Sequence, residues 1–327
     1  MIVKTIGRTF PLVLAGLAFI APGAASAADW PDKPVTMIVP WGAGGGTDAT
    51  ARMIATLLEK EIGKPVPVQN RTGGSGVVGH SAIANAAPNG YTIGVTTLEI
   101  SSMHYQGLTK LDYKAYAPIG LYNADPAAIF VNVDGKYADV GALMAAIKGS
   151  KDRELKASGS AQGGVNHLAM AGMLKRSDIP VPRVAWVPSE GAAPGLQDLA
   201  AGGVDFATAS LPEGRALMDA GKVKPIAIFA AQRDPNLPDV PTFKEATGVD
   251  WVIGSWRGIS APKGTPDNIV QQLQAAIAKV VEQPEYKNFM IKSGYEMQWT
   301  AGADFEAFMA NSDQQIGETL KAVGLAK

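Results

Sequence analysis

The chain of 327 residues contains no cysteine, which excludes disulfides, thiolate metal sites and a cysteine nucleophile. Its 29 basic and 30 acidic residues provide no excess of positive charge, which argues against nucleic acid as a partner. Its three histidines, His80, His104 and His167, match no metal-binding spacing. No serine lies in the G-x-S-x-G pattern of hydrolases. These absences predict a protein that is not an enzyme and needs neither metal nor cofactor.

Long hydrophobic runs are also missing, except near the beginning of the chain. Lys4 and Arg8 precede an apolar run at residues 10–20, and small residues follow at Ala25 and Ala27. This arrangement predicts an export signal, residues 1–27, that is cleaved after Ala27. No later run approaches the roughly 20 residues that a membrane helix needs. We therefore expect a mature protein in the periplasm.

The rest of the sequence alternates between β-rich segments and amphipathic helical patterns. Such alternation is typical of α/β proteins with a mostly parallel sheet flanked by helices. In such sheets ligands bind beyond the carboxyl ends of the strands. The predicted strands cover residues 35–39, 66–70, 91–97, 127–133, 155–158, 183–187, 204–208, 224–230 and 251–261.

The alternation occurs in two units, which predicts two domains with a ligand cleft between them. Because the first unit has too few elements for a complete domain, we assign the C-terminal tail to it. Domain 1 then comprises residues 28–126 plus 253–327, and domain 2 comprises residues 127–252. The two crossings, near 124–127 and 249–254, form the predicted hinge of a clamp.

The segment VTMIVPWGAGGGTD, residues 35–48, leads from a strand through four glycines into a helix. Free N–H groups at the start of a helix favour anions, and we expect Thr47 to cap this helix. A Walker loop would need a lysine after Gly46, where the chain has Thr47. The dinucleotide fingerprint is satisfied, but strand two ends in Asn70-Arg71 instead of an acidic residue, leaving only a 2′-phosphate interpretation through Arg71. The segment is therefore interpreted as a cradle for another anion.

Two arginines and two tryptophans are further candidates for the site. Arg257 and Arg71 have the guanidinium fork that can grip a carboxylate, although most arginines are solvated or pair with acidic side chains. Trp41 and Trp256 either line a pocket or simply pack in the core.

Several motifs resemble one known family. They are WPDKPVTMIVPWGAGGGTDATAR at 30–52, QNRTGGSGVVG at 69–79, APNGYTIG at 87–94, LPDVPTFKE at 237–245 and SWRGISAPKGTP at 255–266. Together they resemble the substrate-binding receptors of tripartite tricarboxylate transporters, the Bug-type family. The resemblance implies a type II periplasmic-binding-protein clamp, a monomer that closes on a small organic carboxylate and delivers it to a two-component membrane permease.

The resemblance also implies where the ligand binds. In the family, loop N–H groups, hydroxyls and water hold the carboxylates, without a salt bridge. The residues of this chain that match the family's binding loops, together with the candidates above, are Trp41, Gly42, Ala43, Gly45, Gly46, Thr47, Thr97, Ser158, Ser160, Ala161, Gln162, Asn166, His167, Ser189, Ser210 and Arg257.

The chain also departs from the family pattern. Many members have an Asp-Asn pair where this chain has Ala209-Ser210, and the missing aspartate argues against an amino-acid ligand. Arg257 replaces a more usual neutral residue, which favours a di- or tricarboxylate.

Two alternative functions stay open: a receptor that signals to a membrane kinase, and an exported hydrolase that uses Ser75 or Ser160 with a base not identified in the sequence.

Overall fold

A computed structural model describes residues 1–3, 7 and 30–327. The predicted signal peptide therefore lies almost entirely outside the described residues. Every helix and strand below belongs to the unit Pro31–Lys327. Within the described part of the chain, no helix is both long and apolar enough to span a bilayer.

Ten strands form one sheet, in which β2, β1, β3, β9, β4, β7, β5 and β6 are successive neighbours, while β8 and β10 also pair with β4. The strands are β1 Thr36–Val39, β2 Val68–Asn70, β3 Thr92–Thr97, β4 Tyr116–Asn132, β5 Leu155–Ser158, β6 Val184–Trp186, β7 Phe206–Ser210, β8 Val223–Ile228, β9 Gly254–Pro262 and β10 Thr300–Ala301.

Helices flank this sheet, as the alternating pattern predicts. They are α1 Gly46–Ile62, α2 Val77–Ala84, α3 Val140–Gly149, α4 Val165–Arg176, α5 Ala192–Ala200, α6 Leu211–Asp219, α7 Phe243–Thr247, α8 Asp267–Glu282, α9 Pro284–Ser293 and α10 Gly302–Ala322. The predicted α/β class is confirmed.

The sheet is mixed, whereas the sequence predicted a mostly parallel one. Parallel pairs join β1 to β2 and β3, and β5 to β6 and β7. Antiparallel pairs join β3 to β9 and β4 to β7, β8 and β9. The difference arises from β4 and β9, because every antiparallel pair includes one of these two strands.

Strand β4 connects two halves of the sheet. Its residues 116–126 pair with β9, and the partner of Pro126 is Gly254. From Ala127 onward its partners are β7 and β8. We name the strands β1, β2, β3 and β9 the first sheet half, and β5, β6, β7 and β8 the second sheet half.

Helix α1 begins one residue before the predicted cap. Its N-cap is Gly45, which has no side chain to donate or accept, so the prediction that Thr47 caps the helix is wrong. Asp48 takes over part of that role, because its Oδ2 accepts a hydrogen bond from the Gly44 N–H at 3.0 Å. Gly63 ends the helix, with a left-handed φ of 65° that suits glycine.

His80 holds α2 against the end of β3. Its Nε2 accepts a hydrogen bond from the Thr97 N–H at 3.3 Å, and its Nδ1 is 2.8 Å from the Gly76 carbonyl. The carbonyl accepts, so Nδ1 carries the proton and the ring is neutral. Complete burial lowers the pKa of His80 to about 4. Sequence reasoning offered only packing or surface exposure for this ring.

Acidification should destabilise the fold through His80. Its pKa is about 4 when folded and 6.5 ordinarily, so between these values the unfolded chain binds more protons. The stability contributed by the neutral ring is complete above pH 6.5 and is lost as the pH falls toward 4, by up to about 1.4 kcal/mol per pH unit. Denaturant unfolding at pH 7, 6 and 5 gives the free energy of unfolding at each pH. This free energy should fall less steeply with decreasing pH for His80→Gln than for the wild type. Equal slopes would contradict this account.

Candidate functional site

A cavity of about 520 Å³, counted with its mouth, opens where the two sheet halves meet. Nine of the predicted site residues line it: Trp41, Gly42, Gly45, Gly46, Thr47, Thr97, Ser160, Asn166 and Arg257. Trp256, for which the sequence left open a pocket wall or core packing, also lines this cavity and is 4% exposed.

The start of α1 supplies hydrogen-bond donors to this cavity. Gly45, Gly46 and Thr47 lie before the first full turn, so their N–H groups have no carbonyl partner within the helix. No other described group accepts from them. These N–H groups and the positive end of the helix dipole favour an anion, as the glycine segment predicts.

A short hydrogen-bond chain crosses the cavity wall from Trp41 to Glu99. The Trp41 Nε1–H donates to Thr97 Oγ1 at 3.2 Å, and the Thr97 hydroxyl donates to Glu99 Oε2 at 2.5 Å. The other oxygen, Oε1, accepts from the Val165 N–H at the start of α4, at 3.3 Å. Glu99 is thereby fixed in position, with 4% of its surface exposed.

Arg257 lies buried in the cavity wall, with its guanidinium held by protein groups. Nε donates to Thr47 Oγ1 at 3.1 Å, Nη1 donates to Asp125 Oδ2 at 2.8 Å, and Nη2 donates to Glu213 Oε1 at 2.9 Å. Burial works to lower the pKa of Arg257, but Glu213 and Asp125 raise it above its ordinary value. Arg257 is therefore a permanently charged structural centre whose main partners are carboxylates of the protein.

Three contacts join the sheet halves around the cavity. The Gly42 N–H donates to the Glu190 carbonyl at 3.2 Å. Arg257 on β9 pairs with Glu213 on α6, and Glu99 accepts from Val165 on α4. All three connect the β1, β3 or β9 side to elements that surround the second sheet half.

Seven predicted residues are not part of the cavity lining. Ala161 and Ser189 line a smaller neighbouring pocket. The Ser158 hydroxyl donates to the Val187 carbonyl at 2.8 Å, and Ser210 is the N-cap of α6, where it contacts Glu213. The remaining three are Ala43, Gln162 and His167.

His167 packs in the core beside the cavity. Its ring stacks on Trp186 with 4.7 Å between centroids, and its Nδ1 accepts from the Gly163 N–H at 2.8 Å. Burial lowers the pKa of His167 to about 4. Ala43 and Gln162 are exposed. The other open candidate, Arg71, also lies outside the lining, and it donates to Gln69 at 3.2 Å.

Sequence reasoning missed the acidic lining of the cavity, which includes Glu99 and Glu213. Glu213 has a local signal: it follows Ser210 by three residues, the spacing of a capping box, and that box forms. Glu99 has no local signal in the sequence, because its proximity to α4 depends on long-range packing. Within the described residues, no group of three or more histidine, aspartate or glutamate side chains is arranged to hold a metal.

Solved structures of similar chains share this fold. BugD, a periplasmic binding protein, aligns with a TM-score of 0.85 and 28% identity over 91% of this chain and 100% of its own. Rpa4515 of Rhodopseudomonas palustris, solved with adipate, aligns with a TM-score of 0.85 and 28% identity over 91% of this chain and 99% of its own. MatC of the same organism, solved with malate, aligns with a TM-score of 0.82 and 26% identity over 89% of this chain and 100% of its own.

The sequence itself matches a family model described as tripartite tricarboxylate transporter family receptor, over residues 50–325. The match begins after β1 and after the glycine-rich start of α1, and it includes the other nine strands and most of the cavity lining. The chain therefore belongs to the receptor family of the tripartite tricarboxylate transporters.

Proposed function

We propose that this protein is a periplasmic receptor that captures a small organic di- or tricarboxylate and delivers it to a two-component membrane permease. The observation that carries the proposal is the start of α1, where the N–H groups of three cavity-lining residues have no protein partners. The protein acts by binding alone and catalyses no reaction.

A carboxylate is the anion that best fits this cavity. The one arginine in the cavity lining is already paired with Asp125 and Glu213. The relatives solved with malate and adipate agree with this choice of anion.

The proposed receptor is a monomeric clamp with domain 1 at 28–126 plus 253–327 and domain 2 at 127–252. Support comes from the pairing of β4. Up to Pro126 this strand pairs with β9, and from Ala127 onward it pairs with β7 and β8. The second crossing lies beside it, since the Ala127 N–H donates to the Ile253 carbonyl at 2.9 Å. Rotation at these adjacent crossings would open the cavity, and the three contacts between the halves would hold it closed.

The proposed location is the periplasm, with cleavage of the export signal after Ala27. The composition of residues 1–27 supports this location, and BugD, a structural relative, is described as periplasmic.

Calorimetric titration of ligand-stripped protein with succinate, malate, adipate and citrate should give saturable binding of at least one acid. Gly45→Ala should weaken that binding about tenfold, because Gly45 lines the cavity and an added methyl narrows the space beside the free N–H groups, while it fits the fold and meets only the Gly42 carbonyl, at 3.6 Å. Gly149→Ala is the matched control, since a methyl there meets nothing within 4 Å and Gly149 is not part of the cavity lining. Absence of binding by every acid would refute the proposed receptor.

Glu213→Gln should speed ligand release about tenfold, because it weakens the Arg257 contact that holds the sheet halves together. The fold should persist, since Arg257 keeps Asp125 as its partner. Asp219→Asn on the same helix removes an exposed ion pair with Arg215 and should leave release unchanged. Stopped-flow dissociation measures both variants, and similar rates for Glu213→Gln and the wild type would contradict the closing role of this contact.

Delivery is tested in cells that express a two-subunit tripartite permease. Uptake of the ligand identified by titration should require both this receptor and the permease. Uptake should also fall with Gly45→Ala but not with Gly149→Ala. Full uptake without the receptor would contradict delivery while leaving ligand binding intact.

A further inference from the structure

The cavity is chemically two-sided. One side carries the three free N–H groups of Gly45, Gly46 and Thr47, which we name the donor side. The opposite chemistry is provided by Glu99 and Asn166, which we name the acceptor side. An occupant therefore meets both hydrogen-bond donors and hydrogen-bond acceptors in the lining of one cavity.

Asn166 presents a buried acceptor that no protein group uses. Its Nδ2 donates to the Gly159 carbonyl at 2.9 Å. This bond fixes the orientation of the amide, because a flip would bring two oxygens together. The Oδ1 atom is then left without a partner, although the residue is only 3% exposed and lines the cavity. Buried acceptors are rarely left unpaired, so this atom indicates a missing donor.

Glu99 adds a carboxylate to the same side. Its two oxygens accept from Thr97 and from Val165, which keeps the group fixed in the wall. Burial raises the pKa of Glu99, while these hydrogen bonds and Arg257 act in the opposite direction. A cationic or hydroxyl group from a ligand would offset the cost of burying this carboxylate.

A ligand made only of carboxylates fits this arrangement poorly. Its second carboxylate would face Glu99 and would leave Asn166 Oδ1 unpaired, and an unmet buried acceptor strongly disfavours a complex. A ligand that carries both an anion and a donor satisfies both sides at once. Discrimination of this kind is large when a site is built to bond a particular hydroxyl or ammonium group.

We propose that the cavity selects a carboxylate that also carries a hydrogen-bond donor, an ammonium or hydroxyl group, which Glu99 and Asn166 receive. This inference rests on the proposed receptor function and narrows its ligand. It also removes the argument against amino acids that came from Ala209-Ser210. Glu99 provides an anionic partner from the first sheet half, where the family pattern provides one at position 209.

The test compares four ligands of similar size by calorimetry on the wild-type protein. Succinate has no donor, methylsuccinate has a methyl group in place of one, malate has a hydroxyl and aspartate has an ammonium. Malate or aspartate should bind at least tenfold more tightly than both succinate and methylsuccinate. Preference for aspartate identifies the ammonium, and preference for malate identifies the hydroxyl.

Glu99→Gln keeps the shape of the side chain and removes its charge. It should reduce the preference for the donor-bearing ligand to below about threefold, mainly by weakening that ligand. Glu306→Gln is the matched control: it removes an exposed carboxylate on α10 that is not part of the cavity lining. The preference should survive in this variant. An equal loss in both variants would overturn the role of Glu99.

The outcomes separate this inference from the receptor function. Tight binding of succinate or methylsuccinate, equal to that of malate and aspartate, would overturn the selection of a donor but would leave a carboxylate receptor. Binding of none of these acids, nor of adipate or citrate, would overturn both proposals. The wild-type ranking decides between these outcomes even if Glu99→Gln does not fold.

Discussion

The buried guanidinium of Arg257 is the constraint on which the cavity depends. An ion at 2% exposure must be compensated within the protein, and its partners come from three separate elements: Thr47 on α1, Asp125 on β4 and Glu213 on α6. Asp125 is in turn held by Asn123 and by the Glu296 N–H, at 2.9 and 2.8 Å. Such buried ion pairs contribute little net stability, but removal of one partner is costly. The arrangement therefore fixes the relative positions of the start of α1, strand β4 and the start of α6.

This constraint also determines how the site can hold an anion. Because Arg257 is engaged by protein carboxylates, the unused donors are the N–H groups at the start of α1. Backbone donors are fixed by the helix and carry no full charge, so they accommodate a carboxylate without a large desolvation penalty. Arg257, a candidate ligand contact in the sequence, thus stabilises the cavity wall, and the N–H groups of the glycine segment provide the donors for the anion.

The parts of the fold that depend on short-range signals were predictable from the sequence. Gly63 ends α1, Asp139 caps α3 by accepting from the Ala142 N–H at 2.8 Å, and β5 has the predicted bounds. Strand β4 was half missed, because Pro118 and Pro126 argue against a continuous strand. Glu99 was missed because only the packing of α4 against the end of β3 brings its carboxylate to the Val165 N–H. Local rules identified the donor side of the cavity, while the acceptor side requires the tertiary structure.

Glu99 links selection to closure in a single group. It belongs to the segment after β3 in the first sheet half, and its Oε1 already accepts from the Val165 N–H beside the second half. Asn166, the other acceptor, is the next residue along that helix. A donor on the ligand would reach Glu99 and Asn166 together only when the halves are closed, so it favours the closed state over the open one. A ligand without the donor gains less from closure, because equal affinity for two states shifts no equilibrium. The same two side chains would therefore determine both which carboxylate is held and how firmly the clamp closes on it.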